Sequence, residues 1–365
     1  LRVHRYDSGS TPPLDAARQL GRDWSAAIST AAAGYREHYR LLGIDDPVVR
    51  RVARSSLEAT AAWWPSQADR LVATAEGAGI PTDDIAMLTA RTEVLAAANE
   101  SGPGECSTLV DLGSSVAFQT WDWHPQLVPE ALWWRSTTAD GQWVKTFTEP
   151  GMPAKIGLNS AGLSVNFNIL HHTSDSSAGG VPVHVVARRI LEEARTVDDA
   201  CELARSAPVS ASSVITVLAT FATLTTLATL AAGNESPAAA AIEISPAGVA
   251  AVEPAGEWLV HTNHFLDPQL RAGGVIPPLS TSAQRFEHLA AARPAATTGL
   301  AALADQLCGT SRDSAPICMK ADPSLPPTQR WQTLLSVRLE PRTGRVEYWP
   351  GTPYDAVHAG PCLRF

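Results

Sequence analysis

The sequence lacks any regular arrangement of cysteine. Cys106, Cys201, Cys308, Cys318 and Cys362 follow no repeated spacing and form no C-x-x-C pair. Neither a disulfide framework nor a structural zinc site is indicated, and a reducing compartment is the default. A basic cluster is also missing. The 28 Lys and Arg residues are spread along a chain of formal net charge −9 and pI near 5.6, which makes nucleic acid and acidic membrane surfaces poor partners. No P-loop, no G-x-G-x-x-G and no internal repeat occurs, so the phosphate-cradling loops announced by those motifs drop out. The opening residues, LRVHRYDSGSTPPLDAARQLGRDW, contain no apolar run of signal-peptide type. A cytoplasmic protein is expected, although the absent Met leaves room for a removed upstream segment.

One long uncharged run does occur. ASSVITVLATFATLTTLATLAAGN, residues 211 to 234, is long enough to cross a bilayer. Threonines at 216, 220, 223, 225, 226 and 229 dilute it, and Glu235 follows where Lys or Arg would anchor a span. A buried strand or helix is the expectation here, not a membrane segment.

What is present is a globular chain. With 45% hydrophobic residues over 365 positions it can bury a substantial core, as one large domain or two intimate ones. From about Pro13 to Glu100 apolar residues recur at three and four, and segments open near Pro, Asp or Thr and close near Gly. That pattern predicts three helices. After Cys106 the period becomes two. STLVDL with SVAFQTWDW, ALWWRST with QWVKTFTE, and AKIGLN with LSVNFNIL read as successive hairpins. Two helices follow, PVHVVARRILEEA and TVDDACELARSA, the second with Thr196 as N-cap. Strands return in AAAAIEIS, GVAAVEP and EWLVHTNH, then a helix in TSAQRFEHLAAA, and a last hairpin in LLSVRLEPRTGRVEYWPG. Strands, then helices, then strands again predict an α+β fold with antiparallel sheets covered by helices.

Cys106 stands at the seam between the helical stretch and the first strand, in GPGECSTLVDL. An isolated cysteine is usually a small core hydrophobe, and its possible associates each have an ordinary reading. Asp122 in QTWDW could cap a turn, Asn166 and Asn168 in LSVNFNIL and Asn263 in HTNHF could satisfy backbone, and Arg285 in SAQRF could be a surface ion pair. In this order, together with ARTEV before the cysteine and GLNSAGLSVNFN after it, they resemble something. The resemblance is to the cysteine-type N-terminal nucleophile hydrolases, and most closely to the acyl-coenzyme A:6-aminopenicillanic acid acyltransferase family, also called isopenicillin N acyltransferase-like. It covers nearly the whole chain, and HTNHF is its most distinctive motif.

The resemblance implies a four-layer αββα sandwich of antiparallel sheets with helices outside. It also implies an inactive precursor that cuts itself before the cysteine, at Glu105–Cys106. The products would be a helical pro-region, residues 1–105, that stays associated with a core of residues 106–365. Cys106 would then own a thiol and an α-amine, with reference pKa values near ~8.5 and ~7.8, and so supply nucleophile and general base from one residue. By the same resemblance Asp122 would orient and polarise them, and Arg285 would keep Asp122 ionised through a charge-assisted contact. Asn263, with Asn168 or its same-face neighbour Asn166, would donate to the oxyanion.

Two positions depart from related patterns. Gln119 stands where many relatives have Arg, which fits the penicillin acyltransferase pattern better than the bile-salt hydrolase one. Glu105 stands where the penicillin enzyme pattern has Gly, and a bulkier charged residue there is expected to slow self-cleavage. No cofactor or metal is implied. His261 with His264 and His171 with His172 offer ligand types without an accompanying carboxylate motif. The tryptophans are mainly packing residues, with those near Asp122 able to line an apolar acyl pocket. Arg91 and Glu93 are expected to pair and anchor the helix leading to the cut.

The expected activity is therefore that of a self-processing cysteine amidohydrolase or acyltransferase. Its substrate would be a small amide, peptide or acyl thioester, with transfer and hydrolysis both open and a homo-oligomer not excluded. The alternatives are an unprocessed, catalytically silent binding or scaffold protein, or a peptidase releasing N-terminal residues.

Overall fold

A computed structural model describes residues 1–98, 105–220, 237–296, 298–358 and 360–365. The chain opens with β1 (Arg2–Asp7) and runs through α1 (Pro13–Asp23), α2 (Ser25–Leu41), α3 (Asp46–Trp63), α4 (Pro65–Ala78), α5 (Thr82–Thr89) and α6 (Arg91–Leu95). Six helices thus replace the three expected. One break has a plain local cause. Pro65 disfavours helical dihedrals at the residue before it, and Trp64 sits at φ −148°, ψ 79°. Trp24 (φ −116°, ψ 18°) and Ala90 (φ −93°, ψ 25°) leave the helical region with no proline or glycine to mark them.

The strand-rich part begins with the hairpins β2 (Cys106–Asp111) and β3 (Val116–Trp123), β4 (Glu130–Thr137) and β5 (Trp143–Thr148), and β6 (Ile156–Asn159) and β7 (Leu163–Ile169). All three pair antiparallel as the alternation predicts. The last turns at Gly162, whose φ of 86° suits glycine. Next come α7 (Val183–Glu193) and α8 (Val197–Ser206), the second opened by a capping box between Thr196 and Asp199. β8 (Ser213–Ala219), β9 (Ala238–Ser245), β10 (Gly248–Val252) and β11 (Trp258–His261) follow. The uncharged run therefore opens as a buried strand, and its residues 221 to 234 lie outside the described residues. The chain ends with α9 (Pro268–Arg271), α10 (Ser282–Ala292), α11 (Leu300–Cys308), β12 (Gln332–Glu340), β13 (Arg345–Trp349), α12 (Pro353–His358) and β14 (Leu363–Arg364).

Two sheets form. One runs β1-β4-β5-β6-β7-β8-β9-β10, the other β11-β2-β3-β12-β13-β14. β2 and β3 face β7, and β11 faces β9, while α7 and α8 cover the outer side of the first sheet. α10, α11 and α12 close the outer side of the second over a separate cluster that includes Leu109, Phe118, Leu303 and Leu307. The order is helix, sheet, sheet, helix: an α+β sandwich of four layers. Among the described residues one strand pairing is parallel, β1 on β4. Residues 1–12, read in no regular element, thus contribute an edge strand. Helices α2 to α6 share the main apolar cluster with both sheets, and α1 packs Leu20 into a smaller one with Leu132 and Trp134 of β4.

Candidate active site

β2 lies between β11 and β3, and Cys106 is its first residue, 4% exposed and paired in register with Trp121. Asp122 is the next residue along β3, Asn168 is near the end of β7, Asn263 follows β11, and Arg285 lies in the first turn of α10. Side chains from β7, the segment after β11, and α10 converge on the main chain of Cys106. Its N–H donates to Asn263 Oδ1 (2.8 Å), and its carbonyl accepts from Asn168 Nδ2 (3.1 Å) and Arg285 Nη1 (2.6 Å). Because the N–H can only donate, the orientation of the Asn263 amide is fixed by chemistry. Asn263 Nδ2 donates to Ile169 O (2.9 Å), and its own backbone N–H is held by Ser282 Oγ (2.7 Å).

Of the two asparagines of β7, it is Asn168 that reaches Cys106. Its Oδ1 accepts from Thr108 Oγ1 (2.8 Å) and Gln119 Nε2 (3.2 Å), and its Nδ2 also meets Thr262 O (3.1 Å). Asn166 binds Gln119 Oε1 instead (3.0 Å). Gln119 thus ties β3 to β7 through Phe167 O and both asparagines.

Arg285 has a different acid partner from the expected one. Its guanidinium pairs with Glu105, and both side chains are fully buried. It also donates to Ser107 Oγ (2.9 Å), Asn263 Oδ1 (3.0 Å) and Thr281 Oγ1 (3.0 Å). Thr281 completes the cradle for Glu105, its hydroxyl and backbone N–H donating to the carboxylate at 3.0 and 3.3 Å. Among the described residues neither carboxyl oxygen of Asp122, by contrast, has a partner at full hydrogen-bond distance, and the nearby Thr333 hydroxyl only eases its burial. The Thr333 hydroxyl, on the residue opposite Asp122 in the ladder, is engaged with Met319 N and Ile317 O. The field of Arg285 still reaches Asp122, but the direct contact has gone to Glu105.

These surroundings set the proton affinities. Burial pushes Asp122 up to about 8, opposed by the Arg285 charge. Burial and then the Asp122 charge push the Cys106 thiol up to about 12, against the pull of the Asp122 backbone amide, Arg285 and Lys155. Lys155 escaped the sequence reading. It is fully buried, ion-paired with Glu149 and 4.0 Å from the centroid of Trp121, and burial lowers it to about 7. Nothing in AKIGLN distinguishes such a lysine from a surface one. Thr281 left a fainter trace, standing four residues before Arg285 on the same helical face.

Arg91 does not pair with Glu93. It binds Glu149 (2.6 Å) and lies over the Trp123 ring at 4.1 Å, while Glu93 accepts from Val183 N (3.1 Å). His261 is taken by Glu243 (2.8 Å) and His264 by Ser282 Oγ (2.8 Å). A narrow cleft adjoins the site at Ile169 and is lined by Leu42, Leu95, Trp123 and Leu170. His38, His124 and His171 also line it, and burial lowers them to about 4, 3 and 4, so they are neutral near pH 7.

Comparison with known proteins bears on these residues. The chain is 27% identical over 232 residues to the acyl-coenzyme A:6-aminopenicillanic-acid-acyltransferase 40 kDa form of Emericella nidulans, a match that spans 62% of this chain and 60% of that protein. Among solved structures it is similar to a mutant conjugated bile acid hydrolase from Clostridium perfringens (TM-score 0.38, 9% identity, 72% of this chain and 92% of that one). It is also similar to penicillin V acylase from Agrobacterium tumefaciens (TM-score 0.33, 11% identity, 67% and 82%). The family model for acyl-coenzyme A:6-aminopenicillanic acid acyl-transferase matches residues 111–353, a span that begins just beyond Cys106 and includes Asp122, Asn168, Asn263 and Arg285. The chain therefore belongs to the acyl-coenzyme A:6-aminopenicillanic acid acyl-transferase family.

Proposed function

We propose that this chain is the precursor of an N-terminal-cysteine enzyme that opens its own Glu105–Cys106 bond and then hydrolyses or transfers acyl groups through Cys106. One observation carries the reading. The amide N–H and carbonyl of Cys106 are gripped by Asn263, Asn168 and Arg285 from three separate elements. A cysteine kept only for packing requires no such setting.

In the uncut chain the Cys106 nitrogen is an amide and cannot serve as base. Asp122, raised to about 8, holds its proton at neutral pH for most of the time, so the acceptor of the thiol proton is its ionised form, and self-cleavage is expected to quicken as pH rises toward 8. The sulfur then adds to the Glu105 carbonyl carbon, the C–N bond breaks with a proton passing to the departing nitrogen, and water opens the thioester. The freed α-amine, still facing Asn263 Oδ1, becomes the base for turnover. A substrate amide, peptide or thioester then acylates the sulfur, its apolar part received by the cleft beside Trp123, and the acyl group passes to water or an amine. The two fragments stay together.

Intact-mass measurement and denaturing electrophoresis test this directly. Wild type yields pieces of about one third and two thirds of the chain, and Cys106→Ala remains whole. A wild type that stays uncut and forms no Cys106 adduct with a panel of thioesters, acyl amides and peptides is instead the silent scaffold, a reading that the buried, high-affinity thiol would suit.

A further inference from the structure

We infer that the cradle around Glu105 is the acyl-side recognition subsite, and that it takes a substrate with a carboxylate three carbons beyond the reacting carbonyl, as in an N-acylglutamyl α-amide. This rests on the reading of Cys106 as nucleophile. One sulfur performs both self-cleavage and turnover, so the carbonyl carbon it attacks lies within bonding reach of that sulfur in each. The residue on the acyl side of the first scissile bond is Glu105, and its side chain marks where the corresponding substituent of a substrate goes.

What surrounds that side chain is built for an anion. The carboxylate meets the Arg285 guanidinium, the Thr281 hydroxyl at 3.0 Å and the Thr281 backbone N–H at 3.3 Å, with Glu105 and Arg285 fully buried. Arg285 is oriented by Ser107 Oγ and Asn263 Oδ1 at 2.9 and 3.0 Å. Once Glu105 withdraws with the free end of the first fragment, a buried guanidinium is left without its acid, a strongly unfavourable state that a carboxylate of the same reach relieves. A neutral amide of identical shape leaves it unpaired.

In turnover the Cys106 sulfur bonds the glutamyl carbonyl carbon and the C–N bond breaks. The thiol proton passes through the α-amine to the leaving amine, and water then restores the thiol and releases the acid. The test uses the self-cut wild type, verified by intact mass, with N-acetyl-L-glutamyl p-nitroanilide against N-acetyl-L-glutaminyl and N-acetyl-L-leucyl p-nitroanilides. The expected result is a kcat/KM for the glutamyl substrate about a hundredfold or more above the glutaminyl one, a ratio that falls about tenfold in Thr281→Val. A cut enzyme that acylates Cys106 with the leucyl or glutaminyl substrate while treating the glutamyl one no better overturns the subsite and leaves the nucleophile standing. A chain that neither cuts nor acylates with any of the three overturns both.

Discussion

At the scale of single residues, the buried charges around Cys106 make separate predictions. Glu105 and Arg285 are fully buried partners, and removing one member of such a pair leaves an uncompensated charge that typically costs about 3–5 kcal/mol. In a Cys106→Ala background, where the chain cannot cut, Glu105→Ala is expected to lower stability by that order in urea denaturation. A change below about 1 kcal/mol would show the pair to be dispensable. Asp122 predicts a pH dependence. Its folded value is about 8, against an ordinary ~3.9 in the unfolded chain, so between those values the folded state holds a proton that the unfolded state has lost. Its contribution to stability therefore declines as pH rises from about 4 to about 8. Lys155, lowered to about 7, acts in the opposite sense and mainly above pH 7, where the unfolded chain still holds its proton. In the uncuttable background, Asp122→Asn should raise Tm more at pH 7 than at pH 5, and a gap that does not change with pH would contradict the raised affinity. In the cuttable chain the same substitution removes the proposed proton acceptor. Self-cleavage followed by electrophoresis should slow by about 10²-fold or more.

Among the elements, the crossing of α1 and α4 is unusually close. A methyl group on Gly77 would meet Arg18 O, and one on Gly21 would meet Thr74 O, both backbone atoms that cannot swing aside. Gly to Ala in an exposed helix usually gains up to ~1 kcal/mol. Here Gly77→Ala is expected to destabilise, because the helices must separate to admit it, and a denaturation midpoint at or above that of the parent would refute this. Much of this level was legible in the sequence. The alternation of STLVDL and SVAFQTWDW, or the Thr196 cap, depends on residues near one another in the chain, and those elements were found where they were expected. The breaks at Trp24 and Ala90 were not legible, because no proline or glycine at either position announces the change of dihedrals. β1 escaped because RVHRYD alternates too weakly and exists as a strand only against β4.

Over the whole molecule the site was legible as an ordered set of motifs but not as a set of contacts. Cys106, Asn168, Asn263 and Arg285 could be named because their order along the chain resembles a family. The choice of Glu105 over Asp122 as the acid for Arg285 could not, since it is made between residues 180 positions apart and depends on which layer each occupies. Lys155 was hidden for the same reason, its burial being a property of the sandwich. The main apolar cluster draws residues from α2 to α6 and from both sheets, α1 packs on β4 through Leu20, and β1 is laced to β4. After self-cleavage the fragments are thus expected to elute as one particle in native mass measurement and to separate only in denaturant. Separation in plain buffer would count against that.

The parallel ladder from Arg2 to Asp7 against Glu130 to Arg135 joins segments on opposite sides of the Glu105–Cys106 bond. While that bond is whole, the connecting chain keeps the two edges within reach after every thermal excursion. Were it opened as proposed, reunion would become a second-order encounter that dilution slows and aggregation can outrun. Heat damage should then be reversible for Cys106→Ala and largely permanent for the processed enzyme, so that maturation would exchange the capacity to recover for the capacity to act.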